Sequence, residues 1–146
     1  MKPTPKGWPR ISSSVYYKEA AKAIDWLCNA FGFEVRLKVE EGGRIRHSEL
    51  EFGDGVVMVC DERVGTEKGW NFRSPASVGG ATTQGMMVYV DDAIAHCERA
   101  RAAGARIIDE PSVHDYGEDY WTDRGYECED LEGHRWWFSQ RLRDPK

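Results

Sequence analysis

Apolar residues recur along the chain with two different periods. In AIDWLCNAFGFEV (residues 23–35), Ile24, Leu27, Cys28 and Phe31 fall at i, i+3, i+4 and i+7. That spacing draws one apolar stripe along a helix of about three turns. Gly32 follows, where a helix end favours a left-handed residue. The device returns in DDAIAHCERARAAGARII (residues 91–108): Asp91 and Asp92 can cap a helix start, Ala93, Cys97 and Ala100 form the stripe, and Gly104 ends it. Ala23 and Ala93 are 70 residues apart and Gly32 and Gly104 are 72 apart, so the chain reads as a weak internal repeat.

Period-2 segments flank both helices. RISSSVYY precedes the first and TQGMMVYV the second. After the first helix come EVRLKVEE, a Gly42-Gly43 turn, RIRHSELEF, an Asp54-Gly55 turn and VVMVC. After the second come ARIIDEP, DRGYECED, a turn through Glu132-Gly133 and HRWWFSQ. Each half therefore predicts a β-α-β-β-β module, residues 10–60 and 83–141, within one domain spanning 1–146. The polar, glycine- and proline-containing stretch 61–82 is expected to join them as a linker or functional loop.

Composition narrows the partners. A net charge of −5 argues against nucleic acid, which calls for a basic face. No run approaches the roughly 18 apolar residues of a membrane span. The opening MKPTPKGWPR lacks the apolar stretch of a signal peptide, so a cytoplasmic location is expected. Four scattered cysteines without a CxxC pair suggest free thiols rather than disulfides or a zinc knuckle.

Residues 121–134, WTDRGYECEDLEGH, resemble the closing signature Tyr-Gly-x-Arg-x-Tyr-x-x-x-Asp-Pro-x-Gly-His/Asn of the vicinal oxygen chelate superfamily, which includes glyoxalase I, extradiol dioxygenases and bleomycin-resistance proteins. Arg124, Tyr126, Asp130, Gly133 and His134 match, while Trp121, Thr122 and Leu131 depart. The resemblance implies an α+β fold of two βαβββ modules with curved mixed sheets, and a homodimer. In the turn, Asp130 can accept backbone N–H bonds and Gly133 suits positive φ. Arg124 is expected to partner a carboxylate, and His134 to be a surface or capping residue.

Metal-dependent members of that superfamily carry His, Glu or Gln at four strand positions. Here those positions fall on Ser12, Met58, Gly85 (with Gln84 beside it) and Trp137, which cannot jointly hold a divalent ion. His47 and Glu49 share a strand face as an isolated pair, which a polar strand face also explains. His96 on a helix and His114 in a loop are weaker candidates. No metal site and no cofactor are expected.

Strand alternation sets Trp137 opposite Trp136 and Phe138. If the ligand-position side faces a cavity, Ser12, Ser14, Tyr16, His47, Met58, Met87, Tyr89 and Trp137 line it, with Trp121 or Tyr126 at its mouth. Such a surface suits a small aromatic or cationic molecule, with Glu49, Glu51 and Glu127 adding charge attraction. Two function classes follow: a metal-free binder resembling the bleomycin-resistance proteins, or an enzyme of the glyoxalase or dioxygenase type with non-standard acid–base residues. No phosphate loop, dinucleotide fingerprint or hydrolase elbow supports another class.

Overall fold

In the computed structural model, which describes residues 1–65 and 67–146, the first apolar stripe folds as a helix between two strands. The chain runs β1 (Ser13–Tyr17), α1 (Ala20–Phe31), β2 (Glu34–Glu41), β3 (Arg44–Phe52) and β4 (Gly55–Asp61). Ala23, Ile24, Leu27 and Phe31 of α1 are buried. The helix starts without a cap from its own first residues. Instead the buried Asp61 at the end of β4 accepts from Ala20 N at 3.1 Å and from Ile45 N at 2.6 Å, satisfying a helix-start donor and the edge of β3 together. Gly32 ends the helix at φ 86°, a conformation that favours glycine.

The connector does not run free. It forms β5 (Arg63–Val64) and β6 (Asn71–Phe72), an antiparallel pair, followed by a short 3-10 turn at Pro75–Ser77. Phe72 stacks on Tyr16 with ring centroids 4.6 Å apart. Glu62 accepts from Ser74 N at 2.8 Å. Residues through Gly79 accordingly fold with the first module, so that the two compact units are Met1–Gly79 and Gly80–Lys146.

The second unit repeats the plan with β7 (Gly85–Tyr89), α2 (Ala93–Ala102), β8 (Arg106–Asp115), β9 (Thr122–Glu129) and β10 (Arg135–Arg143). Asp92 caps α2 by accepting from Ala95 N at 3.0 Å. The sheet orders are β1-β4-β3-β2 and β7-β10-β9-β8, the first strand of each module lying parallel to its last and the remaining pairs antiparallel. This is the α+β architecture of two βαβββ modules. No helix among the described residues is long and apolar enough to cross a membrane.

One face of each sheet packs on its own helix. In the second unit Trp136 and Phe138 are fully buried there with Tyr126 and Cys128. Phe138 packs against the rings of His96 at 4.2 Å and Tyr126 at 5.3 Å. The four cysteines are free, and burial raises the thiol pKa of Cys60, Cys97 and Cys128.

Candidate functional site

The closing turn orients the last strand. Asp130 Oδ1 accepts from Glu132 N and His134 N, both at 3.0 Å, and Oδ2 accepts from the Trp136 indole at 3.0 Å. Gly133 takes φ 95°. One buried carboxylate thus fixes both the turn and the side to which Trp136 points, and alternation sends Trp137 to the other side. Two expectations fail here. His134 is buried rather than at the surface, because the turn folds it inward. Arg124 forms no ion pair with a carboxylate among the described residues; on β9 it lies next to Gly125 and opposite Gln140 of β10.

On the face away from α2, Trp137 is 42% exposed, with Met87 at 55% and Tyr89 at 45% beside it. Trp137 is in register with Met87, but its ring leans across the start of β7. A Cβ built on Gly85 would lie 2.1 Å from Trp137 Cζ3. The indole occupies the space that a side chain at position 85 would need. The two positions read from sequence as missing metal ligands are therefore one packing unit: a glycine and the ring lying over it.

Beside this ring is a cleft of about 450 Å³ whose lining includes Trp137, Ser139, Glu127, Asp109, Ser112 and His114. His114, expected in a loop, lies on β8 opposite Asp123, with Nε2 3.1 Å from Ser112 Oγ. Most acids of the lining carry a partner. Arg135 donates to Glu127 at 2.7 Å, Arg141 to Asp123 at 2.6 Å and Arg101 to Glu110 at 2.8 Å. These bonds raise the guanidinium pKa values of Arg135, Arg141 and Arg101, the carboxylate hydrogen bond being the leading cause in each. Asp109 has no ion-pair partner among the described residues, leaving one uncompensated carboxylate at the cleft.

Tyr89 and Trp121 hold a cation from the chain itself. The Arg141 guanidinium lies 5.3 Å from the centroid of each ring and donates to Tyr89 Oη at 2.5 Å. Trp121 also meets Tyr116 and Tyr120, forming an aromatic lip at the β8–β9 connection. Tyr126 is among the residues that border the cleft, but its side chain turns away from it. It is 2% exposed in the α2-facing core, with its hydroxyl 2.6 Å from His96 Nδ1, and burial raises its pKa. Period 2 puts it on the opposite side of β9 from Glu127.

In the first unit, Ser14 is in register with Met58, and Met58 with Glu49, so these three form a row across β1, β4 and β3. Tyr16 lies beneath Phe72. His47 Nε2 is 3.0 Å from Glu49 Oε1, while Arg36 donates to Glu49 Oε2 at 2.8 Å and its guanidinium lies 4.5 Å from the Trp8 ring centroid. The His47–Glu49 pair is thus part of an ionic network tied to the N-terminal segment. Ser12, just before β1, has a buried hydroxyl without a hydrogen-bond partner among the described residues.

These residues do not fit a divalent ion. The first unit offers one hydroxyl and one thioether at the family's ligand positions, and the second offers a glycine and an indole, a donor set without a carboxylate or imidazole. Among the described residues no group of three or more His, Cys, Asp or Glu side chains could hold one. Among the lining residues missed from sequence are Asp109, Ser112 and Asp123. They reach the cleft through the β8–β9 register, which no local pattern in β8 announces.

Comparison with known proteins agrees with this architecture. The chain is 33% identical to TioX from Micromonospora sp. ML1, whose crystal structure superposes with a TM-score of 0.67 over 90% of this chain and 95% of that one. A glyoxalase/bleomycin resistance protein/dioxygenase from Nocardioides is 16% identical, with a TM-score of 0.62 over 94% of this chain and 88% of that one. The fosfomycin resistance protein FosX from Listeria monocytogenes is 13% identical, with a TM-score of 0.61 over 90% and 92%. A search of curated proteins returned no match. The family model for the glyoxalase/bleomycin resistance protein/dioxygenase superfamily matches residues 11–138, and the chain belongs to that superfamily.

Proposed function

We propose that this protein binds a small, flat, aromatic molecule carrying a positive charge, on the Trp137 face of its second unit and without a metal ion. The observation that carries this reading is the indole of Trp137, laid over Gly85 and half-exposed beside a cleft with one unpaired carboxylate. A ring face of that kind attracts flat π systems, and more strongly cations, by about 0.5–2 kcal/mol. Met87 adds polarizable surface that tolerates varied shapes. A ligand held so needs no Lewis acid, and the poor donor set at the four family positions supports a metal-free mode. Sequestration then requires only affinity.

The test is a titration with N-methylquinolinium, a permanently charged flat probe, followed by tryptophan fluorescence and calorimetry. The wild type binds, and Trp137→Ala weakens binding by about tenfold or more, the equivalent of about 1.4 kcal/mol. Equal affinity in the two proteins removes the reading. Elemental analysis of the purified chain is expected to find no stoichiometric zinc, nickel or iron.

A second reading has one observation in its favour: His114, hydrogen-bonded to Ser112 within the same cleft, is a general acid–base candidate. Turnover of a hemithioacetal or catechol that resists chelator and disappears in His114→Ala would select it. The helix-free face of each sheet also supports pairing of two copies, and the mass in solution checks whether the protein is a homodimer.

A further inference from the structure

The connector hairpin builds a second cleft, of opposite charge, in the first unit. It measures about 380 Å³ and is lined by Arg44, Arg46, Glu62, Arg63, Val64 and Trp70. We infer that this cleft is a binding site for a multiply charged oxyanion of the phosphate class. The inference is independent of the Trp137 reading, because it concerns other residues, the other unit and the other sign of charge.

Three guanidinium groups converge there in a chain whose net charge is −5. Their convergence has local causes. The β2–β3 ladder pairs Val39 with His47 and then Glu40 with Ile45, so Arg46 is the extra residue of a bulge, a device that re-aims a side chain. Arg63 comes from β5. Two of the head groups are pinned by backbone carbonyls: Arg44 donates to Glu62 O and Arg63 to Arg46 O, each at 3.0 Å. Arg63 is also laid on the Trp70 ring, 5.2 Å from its centroid, and Lys68 Nζ approaches the same ring at 5.6 Å.

The acids nearby do not neutralise this cluster. Glu62 turns its carboxylate to Ser74 N at 2.8 Å, while Glu41 reaches Arg46 only at 3.8 Å. Each guanidinium has five N–H donors and spends few of them here. Fixed, like-charged forks with unspent donors match the tetrahedral oxygens of phosphate, which Arg recognises through bidentate charge-assisted bonds. Binding such an anion relieves the mutual repulsion that the bulge and the hairpin impose.

The experiment is calorimetric titration of the full-length chain with inorganic pyrophosphate at low ionic strength. The wild type is expected to bind one equivalent. Arg46→Gln and Arg63→Gln should each weaken binding by about tenfold, the loss of one charge-assisted contact. Lys22→Gln, on the exposed face of α1, should bind as the wild type does. Circular dichroism checks folding. Should Arg63→Gln disturb the hairpin it helps to hold, Arg46→Gln decides alone, since among the described residues that head group makes only the long contact to Glu41. The inference is overturned by the absence of heat with the wild type, by arginine variants within about twofold of it, or by an equal loss in Lys22→Gln, which would mark diffuse charge attraction.

Discussion

Gly85 and Trp137 act as a single residue-scale device. Because a Cβ at position 85 would meet the indole at 2.1 Å, Gly85→Ala must push the ring off β7. Small-to-large changes of this kind cost about 1–3 kcal/mol when the neighbour cannot yield. Trp137 is partly exposed and can yield, so the expected result is a folded protein with displaced tryptophan fluorescence and at least a severalfold loss of N-methylquinolinium affinity. Asp109 is the other residue whose removal separates contributions. Asp109→Asn should reduce affinity for that cation by the equivalent of about 0.5–1 kcal/mol, the ordinary value of an exposed charge pair. Binding of neutral quinoline should be unchanged. A matching loss for both probes would show that the carboxylate only shapes the cleft.

At the scale of elements, the amphipathic periods carried most of the fold. β2 and β3 begin and end where alternation between glycine turns places them, α1 stops at Gly32, and α2 stops at Ala102, with Ala103 as its cap just before Gly104. β8 extends beyond its expected end at Pro111, reaching Asp115. Proline is tolerated there because β8 is an edge strand and Pro111 falls in the register shift between Asp109 and Ser112. That extension carries His114 into a strand. The outward side of Trp137 was legible, since β10 alternates cleanly. The internal occupant of Tyr89 and Trp121 was not: it depends on the register that sets Arg141 opposite Asp123, which local sequence does not fix. Tyr126 borders the cleft, but the parity of β9 turns its ring into the α2-facing core.

Two stability predictions belong to this scale. Trp136→Ala removes a fully buried ring and its hydrogen bond to Asp130, so chemical denaturation should show a loss of about 3–5 kcal/mol. In the first unit, the contact with His47, joined by Arg36, holds Glu49 below the usual carboxylate range. A depressed folded pKa contributes stability that is present above the unfolded value of about 4.3 and is lost as pH falls through the folded value. Glu49→Gln should therefore be less stable than the wild type at neutral pH, with the difference closing on acidification below about pH 4. A constant difference across that range would assign its effect to packing instead.

For the molecule as a whole, two units of the same topology have received different surfaces. The second presents an aromatic face with one unpaired acid. The first engages Glu49 with Arg36, covers Tyr16 with Phe72 and gathers arginines beneath its hairpin. The duplicated scaffold fixes where side chains point, and the second unit's two corresponding positions carry a glycine and the indole laid over it. The most direct check is the set of indole N–H signals in an NMR spectrum of the labelled protein, titrated with N-methylquinolinium. Trp137, assigned by its loss in Trp137→Phe, should shift progressively with ligand, while Trp136, buried and bonded to Asp130, should stay in place. A stationary Trp137 signal at saturating ligand would contradict the account.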